Sequence, residues 1–271
     1  MTLLLGVIGD PVSHSLSPFI HNRWIRAHGI DATYEALQVP AGELGPALET
    51  LEARGGVGFN ITLPHKEDAL RLAREASDVA RRIGAANTLI HRPDGGWRAE
   101  NTDAPGFVRA LTDAGIDPGG LRVTLLGAGG SARAVAVSLS DLRADLTIAN
   151  RTVARARALV KETGIEARIC TLEEGLADAS GSDLVVNTLS LGHSDGTLEL
   201  PDGQGRPFFD ISYGKAAASI AQAARKRGWH PHDGLGMLVA QAAYSFERWF
   251  DILPETGSTL AACRKLVEAT S

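Results

Sequence analysis

In the stretch FNITLPHKEDA, Phe59–Ala69, an apolar, strand-like run meets a proline and then, two residues on, a lysine. Residues His65 to Glu75 have helical spacing, so Lys66 falls in the first turn of a helix. A cation there opposes the helix dipole, which favours acids at that end. Local structure does not select a lysine at this point, so Lys66 is read as a functional group. Other polar clusters also follow strand-like runs. SHSLSPF supplies Ser13, Ser15 and Ser17; NITLPHK supplies Asn60 and Thr62; AANTL supplies Asn87; ENTDA supplies Asn101 and Asp103. Parallel α/β sheets bind ligands outside the carboxyl ends of their strands. These groups are therefore placed to converge on one small, hydroxylated, anionic ligand. Three of them also have plainer readings. Ser17 before Pro18 suits a helix cap, Asp103 can cap the helix past Pro105, and Asn87 can satisfy buried backbone groups.

A second constellation lies in RVTLLGAGGSARAVAVSL. Gly127-Ala128-Gly129-Gly130-Ser131-Ala132 is a G-x-G-x-x-A run that follows a strand pattern and opens a helix pattern, the context in which such a run has meaning. Gly127 permits the tight turn, Gly129 lets the backbone approach a pyrophosphate, and Ala132 lets the helix sit close to the strand. The helix N-terminus offers unpaired N–H groups to phosphate. The next strand ends in Asn150, Arg151 and Thr152, with Arg155 one helical turn on. A carboxylate at this tip would accept from the ribose 2′-hydroxyl of NAD. A guanidinium, a hydroxyl and an amide suit a 2′-phosphate instead, so NADP(H) is the expected cofactor.

Such groups need a scaffold, and the hydrophobic pattern describes one. Val, Ile and Leu runs alternate with amphipathic helical stretches through two series, divided by DAGIDPGGL. That alternation predicts two α/β domains with parallel sheets covered on both faces. The second series has strands near 122–126, 145–149, 167–170, 184–187 and 208–211. Two helices, near 235–249 and 258–269, close the chain and are expected to pack back on one of the two units or to bridge them. The chain of 271 residues is long enough for two ordinary domains. Its 22% charged and 44% apolar residues argue against disorder. A formal net charge of −5 argues against nucleic acid or an anionic membrane as partner. The apolar N-terminal run is stopped early by Asp10-Pro11, which predicts a core strand rather than a signal peptide. Cys170 and Cys263 are distant and fit no zinc or redox spacing, in keeping with a cytoplasmic location. His230 and His232 have no third ligand nearby in sequence, so no metal is expected.

The motifs GDPVSHSLSPFIHN, FNITLPHK, GAANTL, ENTDAPGF, GAGGSARA, NRTVARA and GMLVAQAAYSFERW occur in that order between residue 6 and residue 249. In them the chain resembles the shikimate dehydrogenase family, NADP-dependent reductases of 3-dehydroshikimate in aromatic amino-acid biosynthesis. The resemblance implies a substrate-binding domain over 1–103, a Rossmann-like NADP domain over 104–234, and C-terminal helices over 235–271 returning to the first domain. It implies that Ser15 and Ser17 bind the substrate carboxylate, and that Thr62, Asn87, Tyr213 of DISYG and Gln241 also contact substrate. Lys66 and Asp103 become the catalytic pair. Hydride transfer to the C3 ketone leaves an alkoxide, and a lysine beside that oxygen both stabilises it and supplies a proton. The carboxylate neighbour favours the charged form of the lysine, so Lys66 is expected to act mainly as charged donor and general acid in reduction. Gly127, Ala128, Gly129, Gly130, Ser131, Ala132, Asn150, Arg151, Thr152 and Arg155 become the NADP(H) site.

The chain departs from the family pattern in three places. NTLSLGHSDG is atypical after Asn187, which touches the expected contacts of Thr188, Leu189 and Gly192. Lys215 stands where a proline is usual, and Phe250-Asp251 follows Trp249 in place of Thr-Gly. A quinate/shikimate or aminoshikimate dehydrogenase is the neighbouring reading, though Ser15 with Ser17 and the basic strand tip favour shikimate and NADP. A non-catalytic NADP(H) sensor is the reading from another class, and it has no use for both Lys66 and Asp103. The expected partner is a small molecule, with the chain a monomer or homodimer.

Overall fold

The computed structural model describes residues 2–189 and 198–270. Its contacts divide into two compact units, Met1–Gly106 with Leu238–Thr259, and Phe107–Met237 with Leu260–Ser271.

The first unit is built on a six-stranded sheet of order β2-β1-β3-β5-β6-β4. Its strands are β1 (Leu3–Gly9), β2 (Ala32–Gln38), β3 (Gly56–Ile61), β4 (Glu75–Ala76), β5 (Thr88–His91) and β6 (Trp97–Glu100). β1 is buried along all but its first residue, as a central strand covered on both faces must be. β2 lies at the edge, and only Tyr34 along it is buried. The helices are α1 (Ser17–Ala27), α2 (Leu44–Ala53), α3 (Lys66–Leu72) and α4 (Asp78–Ile83). Leu44, Leu48 and Leu51 of α2 recur at helical spacing and pack with Ile8, Phe59, Ile61, Leu89 and Trp97 in one core.

This sheet departs from the all-parallel expectation. β5 runs antiparallel to both β3 and β6, and the turn from Arg92 to Gly96 makes β5 and β6 a hairpin. A hairpin needs only a short turn between strands, whereas a parallel pair needs a crossover. The five residues between β5 and β6, RPDGG, leave no room for one. β4, α4 and β6 are too short to carry a readable period.

The second unit holds a wholly parallel sheet of order β12-β11-β10-β7-β8-β9. Its strands are β7 (Arg122–Leu126), β8 (Asp145–Asn150), β9 (Arg168–Thr171), β10 (Leu184–Asn187), β11 (Pro207–Asp210) and β12 (His230–His232). Read from β9, this is the 3-2-1-4-5-6 order of the doubly wound dinucleotide fold. α5 (Asp103–Asp113) precedes β7, and α6 (Gly130–Asp141), α7 (Val153–Thr163), α8 (Leu172–Asp178) and α9 (Lys215–Lys226) join the strands. β12, at the sheet edge, holds the His230-Pro231-His232 segment.

The chain closes with α10 (Leu235–Phe250) and α11 (Gly257–Thr270). Leu238–Thr259 groups with the first unit. Leu260–Ser271, the rest of α11, groups with the second unit. Arg264 pairs with Asp233 in that unit at 2.6 Å, an anchor that no helical period reveals. The first unit also ends at Gly106 rather than at residue 103, partway through α5.

Candidate active site

Lys66 is the first residue of α3. The turn that delivers it from β3 is closed by the His65 N–H donating to the Thr62 carbonyl at 3.0 Å. His65 is buried, and its Nε2 lies 2.7 Å from the Val39 carbonyl, so the ring pins the turn. Asp103 is the first residue of α5, where Asn101 rather than Asp103 serves the helix end, its Oδ1 accepting from the Ala104 N–H at 3.3 Å. The Asp103 carboxylate is thereby left to the site. Lys66 Nζ donates to Asp103 Oδ2 at 2.6 Å, with the two residues 7% and 5% exposed. Such burial removes most hydration from both ions, and a pair of this kind persists only when its remaining atoms find partners. Asn87 provides one, as its Nδ2 donates to Asp103 Oδ1 at 2.8 Å and to Gln241 Oε1 at 3.2 Å.

The orientation of the Asn87 amide is set by the backbone. Its Oδ1 accepts from the Thr102 N–H at 2.7 Å, which turns the NH₂ end toward Asp103. Asn87 thus serves buried backbone and the site at once. Gln241 reaches it from α10 because Gly106 has no side chain, and a Cβ there would lie 2.7 Å from the Gln241 Cβ.

Behind this group lies a buried polar cluster that sequence reading passed over. Ser245 Oγ lies 2.8 Å from Thr88 Oγ1 and 3.0 Å from Thr102 Oγ1, and accepts from Asn60 Nδ2 at 2.8 Å. Tyr34 donates to Asn60 Oδ1 at 2.7 Å. Ser245 follows Gln241 by one helical turn, so the spacing on α10 was the signal that could have found it. Thr88 and Thr102 directly follow Asn87 and Asn101 in sequence. Nothing in the local sequence marks Tyr34.

Ser15 and Ser17 lie together at the start of α1. Ser17 is its first residue, not the residue before it, and its N–H is accepted by Ser15 Oγ at 3.2 Å. Ser17 is buried and Ser15 half-buried, as is Thr62, which follows β3. Tyr213 belongs to the second unit, half-buried after β11, and is not part of the first unit's group.

His21 of α1 is fully buried, stacked on the Tyr34 ring at 4.2 Å. Burial lowers its pKa from 6.5 to about 3. The unfolded chain binds a proton at His21 below pH 6.5 that the folded chain refuses, so this contribution to stability is complete above pH 6.5 and declines as pH falls toward 3. Between pH 7 and pH 5 the loss from His21 is about 2 kcal/mol. His21→Phe, which can keep the stack, is expected to flatten the pH 7-to-5 change in denaturant unfolding free energy by that amount. An unchanged slope in the variant excludes His21 as its source.

In the second unit, Gly127 directly follows β7 with φ +113°, a conformation open to glycine, and a Cβ there would lie 2.4 Å from Thr188 Oγ1. Gly129 precedes α6, and no atom lies within 4 Å of where its Cβ would stand, which leaves room for a phosphate against the backbone. Gly130, Ser131 and Ala132 form the first turn of α6, with Ala132 buried against the sheet and Ala128 half-buried in the turn. Asn150 ends β8 and donates to the Thr152 carbonyl at 2.9 Å. Arg151, Thr152 and Arg155 are exposed there with no carboxylate among them. These residues fit a phosphorylated dinucleotide: an open glycine cradle at the N-terminus of a 12-residue helix, with two guanidinium groups at the neighbouring strand tip. Thr188 Oγ1 donates to the Leu126 carbonyl at 2.7 Å, and the Leu189 N–H donates to Asn187 Oδ1 at 3.1 Å. Gly192 and His193 lie outside the described residues. Among the described residues, no group of three or more His, Cys, Asp and Glu side chains is arranged to hold a metal ion. Among them, too, no helix is long and apolar enough to cross a membrane.

Three family models match the chain: a shikimate dehydrogenase substrate binding domain over residues 7–89, a shikimate / quinate 5-dehydrogenase over 114–194, and a shikimate 5'-dehydrogenase C-terminal domain over 234–264. A shikimate dehydrogenase (NADP(+)) of Hyphomonas neptunium is 59% identical over the full length of both chains. One of Acidiphilium cryptum is 40% identical over 95% of this chain and 94% of its own. The crystal structure of the Thermus thermophilus shikimate 5-dehydrogenase in complex with NADP(H) and shikimate superposes with a TM-score of 0.84 at 34% identity, covering 97% of this chain and 99% of that one.

Proposed function

Because the chain belongs to the shikimate dehydrogenase family, we infer that it is an NADP-dependent oxidoreductase that interconverts 3-dehydroshikimate and shikimate. The observation that carries this reading is the buried Lys66–Asp103 pair with Asn87 and Gln241 arrayed on it.

Bound NADPH supplies the hydride that reduces the C3 ketone. Ser15 and Ser17, paired at the start of α1, donate to the substrate carboxylate and fix that end of the ring. Thr62, Asn87 and Gln241 hold the ring hydroxyls, and Tyr213 is a further substrate contact. Lys66 stands at the C3 oxygen. Its ammonium stabilises the negative charge that grows on that oxygen and then gives it a proton, leaving a neutral amine. Asp103 keeps the ammonium charged and aimed, and accepts from the C3 hydroxyl once it has formed. In oxidation the steps reverse, with the neutral amine as base. The domain roles follow: the first unit binds substrate, and the second binds NADP(H) through Gly127–Ala132, Asn150, Arg151, Thr152 and Arg155. The same reading has the chain working in the cytoplasm as a monomer or homodimer, with neither nucleic acid nor membrane as partner.

The test follows absorbance of NADPH formed from NADP⁺ and shikimate, beside matched reactions with quinate and with NAD⁺. Fast turnover with shikimate and NADP⁺ alone is the expected result. Comparable rates with quinate or NAD⁺ replace it with a quinate/shikimate dehydrogenase. A folded chain that binds NADPH and turns over none of these substrates is a sensor, and the catalytic roles above fall.

A further inference from the structure

We propose that Asp210 is a positioning residue for the nicotinamide side of the dinucleotide site, acting through Asn187 and Ser212; this rests on the NADP(H) reading above. The sheet order supplies the location. The glycine turn follows β7, and the basic tip that would take the 2′-phosphate follows β8 on one side of it. A dinucleotide laid across the carboxyl ends must extend its other half over β10 and β11, on the opposite side. Asn187 is the last residue of β10 and Asp210 the last of β11.

The two side chains join there. Asn187 Nδ2 donates to Asp210 Oδ1 at 3.1 Å. Asp210 Oδ1 also accepts from the Ser212 N–H at 3.1 Å, and its Oδ2 from the Ser212 hydroxyl at 2.7 Å. On its other side, Asn187 Oδ1 accepts from the Leu189 N–H. One relay therefore runs from the chain leaving β10, through both side chains, to the chain leaving β11 that carries Tyr213. The first of these segments also holds Thr188, whose hydroxyl stands against the Gly127 turn.

Packing does not account for the acid. Asp210 is 2% exposed and follows Phe208 and Phe209, both buried. Burial pushes its carboxyl pKa up, and the Ser212 and Asn187 donors work against that push. An apolar residue would be cheaper to bury at this strand end. What the carboxylate supplies is two acceptor oxygens that tie both loops to fixed points.

The test compares Asp210→Ala, Asp210→Asn and Asn187→Ala by the dissociation constants of NADPH and of 2′,5′-ADP, a probe of the adenosine half alone. Asp210→Ala is expected to weaken NADPH about tenfold while 2′,5′-ADP stays within about twofold. Asparagine at 210 can keep all three contacts, its amide donating to the Ser212 oxygen in place of the reverse, so NADPH binding returns to within about threefold of the parent. Asn187→Ala cuts the same relay, and the Asn187→Ala/Asp210→Ala pair should be no weaker than Asp210→Ala. Wild-type NADPH affinity in Asp210→Ala overturns the proposal, as does an equal loss of 2′,5′-ADP, which marks general damage to the unit. Parent protein that binds NADPH but oxidises no shikimate defeats the function proposed above and leaves this binding comparison decisive. Parent protein that does not bind NADPH defeats both.

Discussion

Lys66→Ala lowers kcat for shikimate oxidation by about 10²–10⁴-fold, the span of a positioned general acid–base group, and changes KM for shikimate by much less. The split follows from the role proposed for Lys66. Its ammonium meets a full negative charge only when the C3 oxygen becomes an alkoxide, so its interaction is strongest at the transition state, and losing it falls on kcat. A residue that only held the substrate would raise KM and spare kcat. Steady-state kinetics at saturating NADP⁺ distinguish the two, and a near-normal kcat with a raised KM refutes the assignment. Circular dichroism must first show the variant folded, because Asp103 loses its cation on removal of the amine, although Asn87 still donates to its Oδ1.

Asp103→Ala is expected to destabilise the protein by about 3–5 kcal/mol, the cost of leaving one member of a buried ion pair without its partner. Lys66 is nearly as buried as Asp103. A double replacement, Lys66→Met with Asp103→Leu, removes both charges and fills their space. It should recover most of that loss while remaining inactive, since replacing a buried pair by apolar groups is often neutral. Urea unfolding of the parent, the single variant and the double variant measures this. A single variant within about 1 kcal/mol of the parent shows that the pair is solvated in use and that the ammonium is not held as described. On the expected result the pair serves chemistry at the expense of stability, in the way strained or costly groups gather at reactive centres.

How much of this was legible beforehand differs by element. β7 and β10 appeared in the pattern with their observed limits, because a central parallel strand is a continuous apolar run that ends where water begins. The glycine turn was equally plain, since Gly127 and Gly129 are required by backbone geometry and leave a mark in the residue types themselves. Lys66 stood out because it contradicts the local preference of a helix N-terminus. Asp103 was ambiguous for the opposite reason: an acid at a helix start is ordinary, and only the placement of Asn101 at that end releases it. β6 and α4 went unread because four to six residues do not complete a period. Which unit each part of α11 joins was not legible, because a helix with an apolar stripe does not state which surface that stripe meets.

The amino-acid sequence by itself determined the two α/β series, the strand-turn-helix at Gly127–Ala132, the basic strand tip at Asn150–Arg155, and a lysine placed against the local preference of its helix end. Each of these is a local property, written in residue type and short spacing. Tertiary structure alone decided the antiparallel hairpin of β5 with β6, the meeting of Lys66 with Asp103 across 37 positions, the orientation of Asn87, the buried hydroxyls of Thr88, Thr102 and Ser245 behind it, and the relay from Asn187 to Asp210. Those are contacts between groups distant along the chain. A hydrogen bond between such groups requires a particular distance and angle, and neither exists until the strands and helices that carry them have packed.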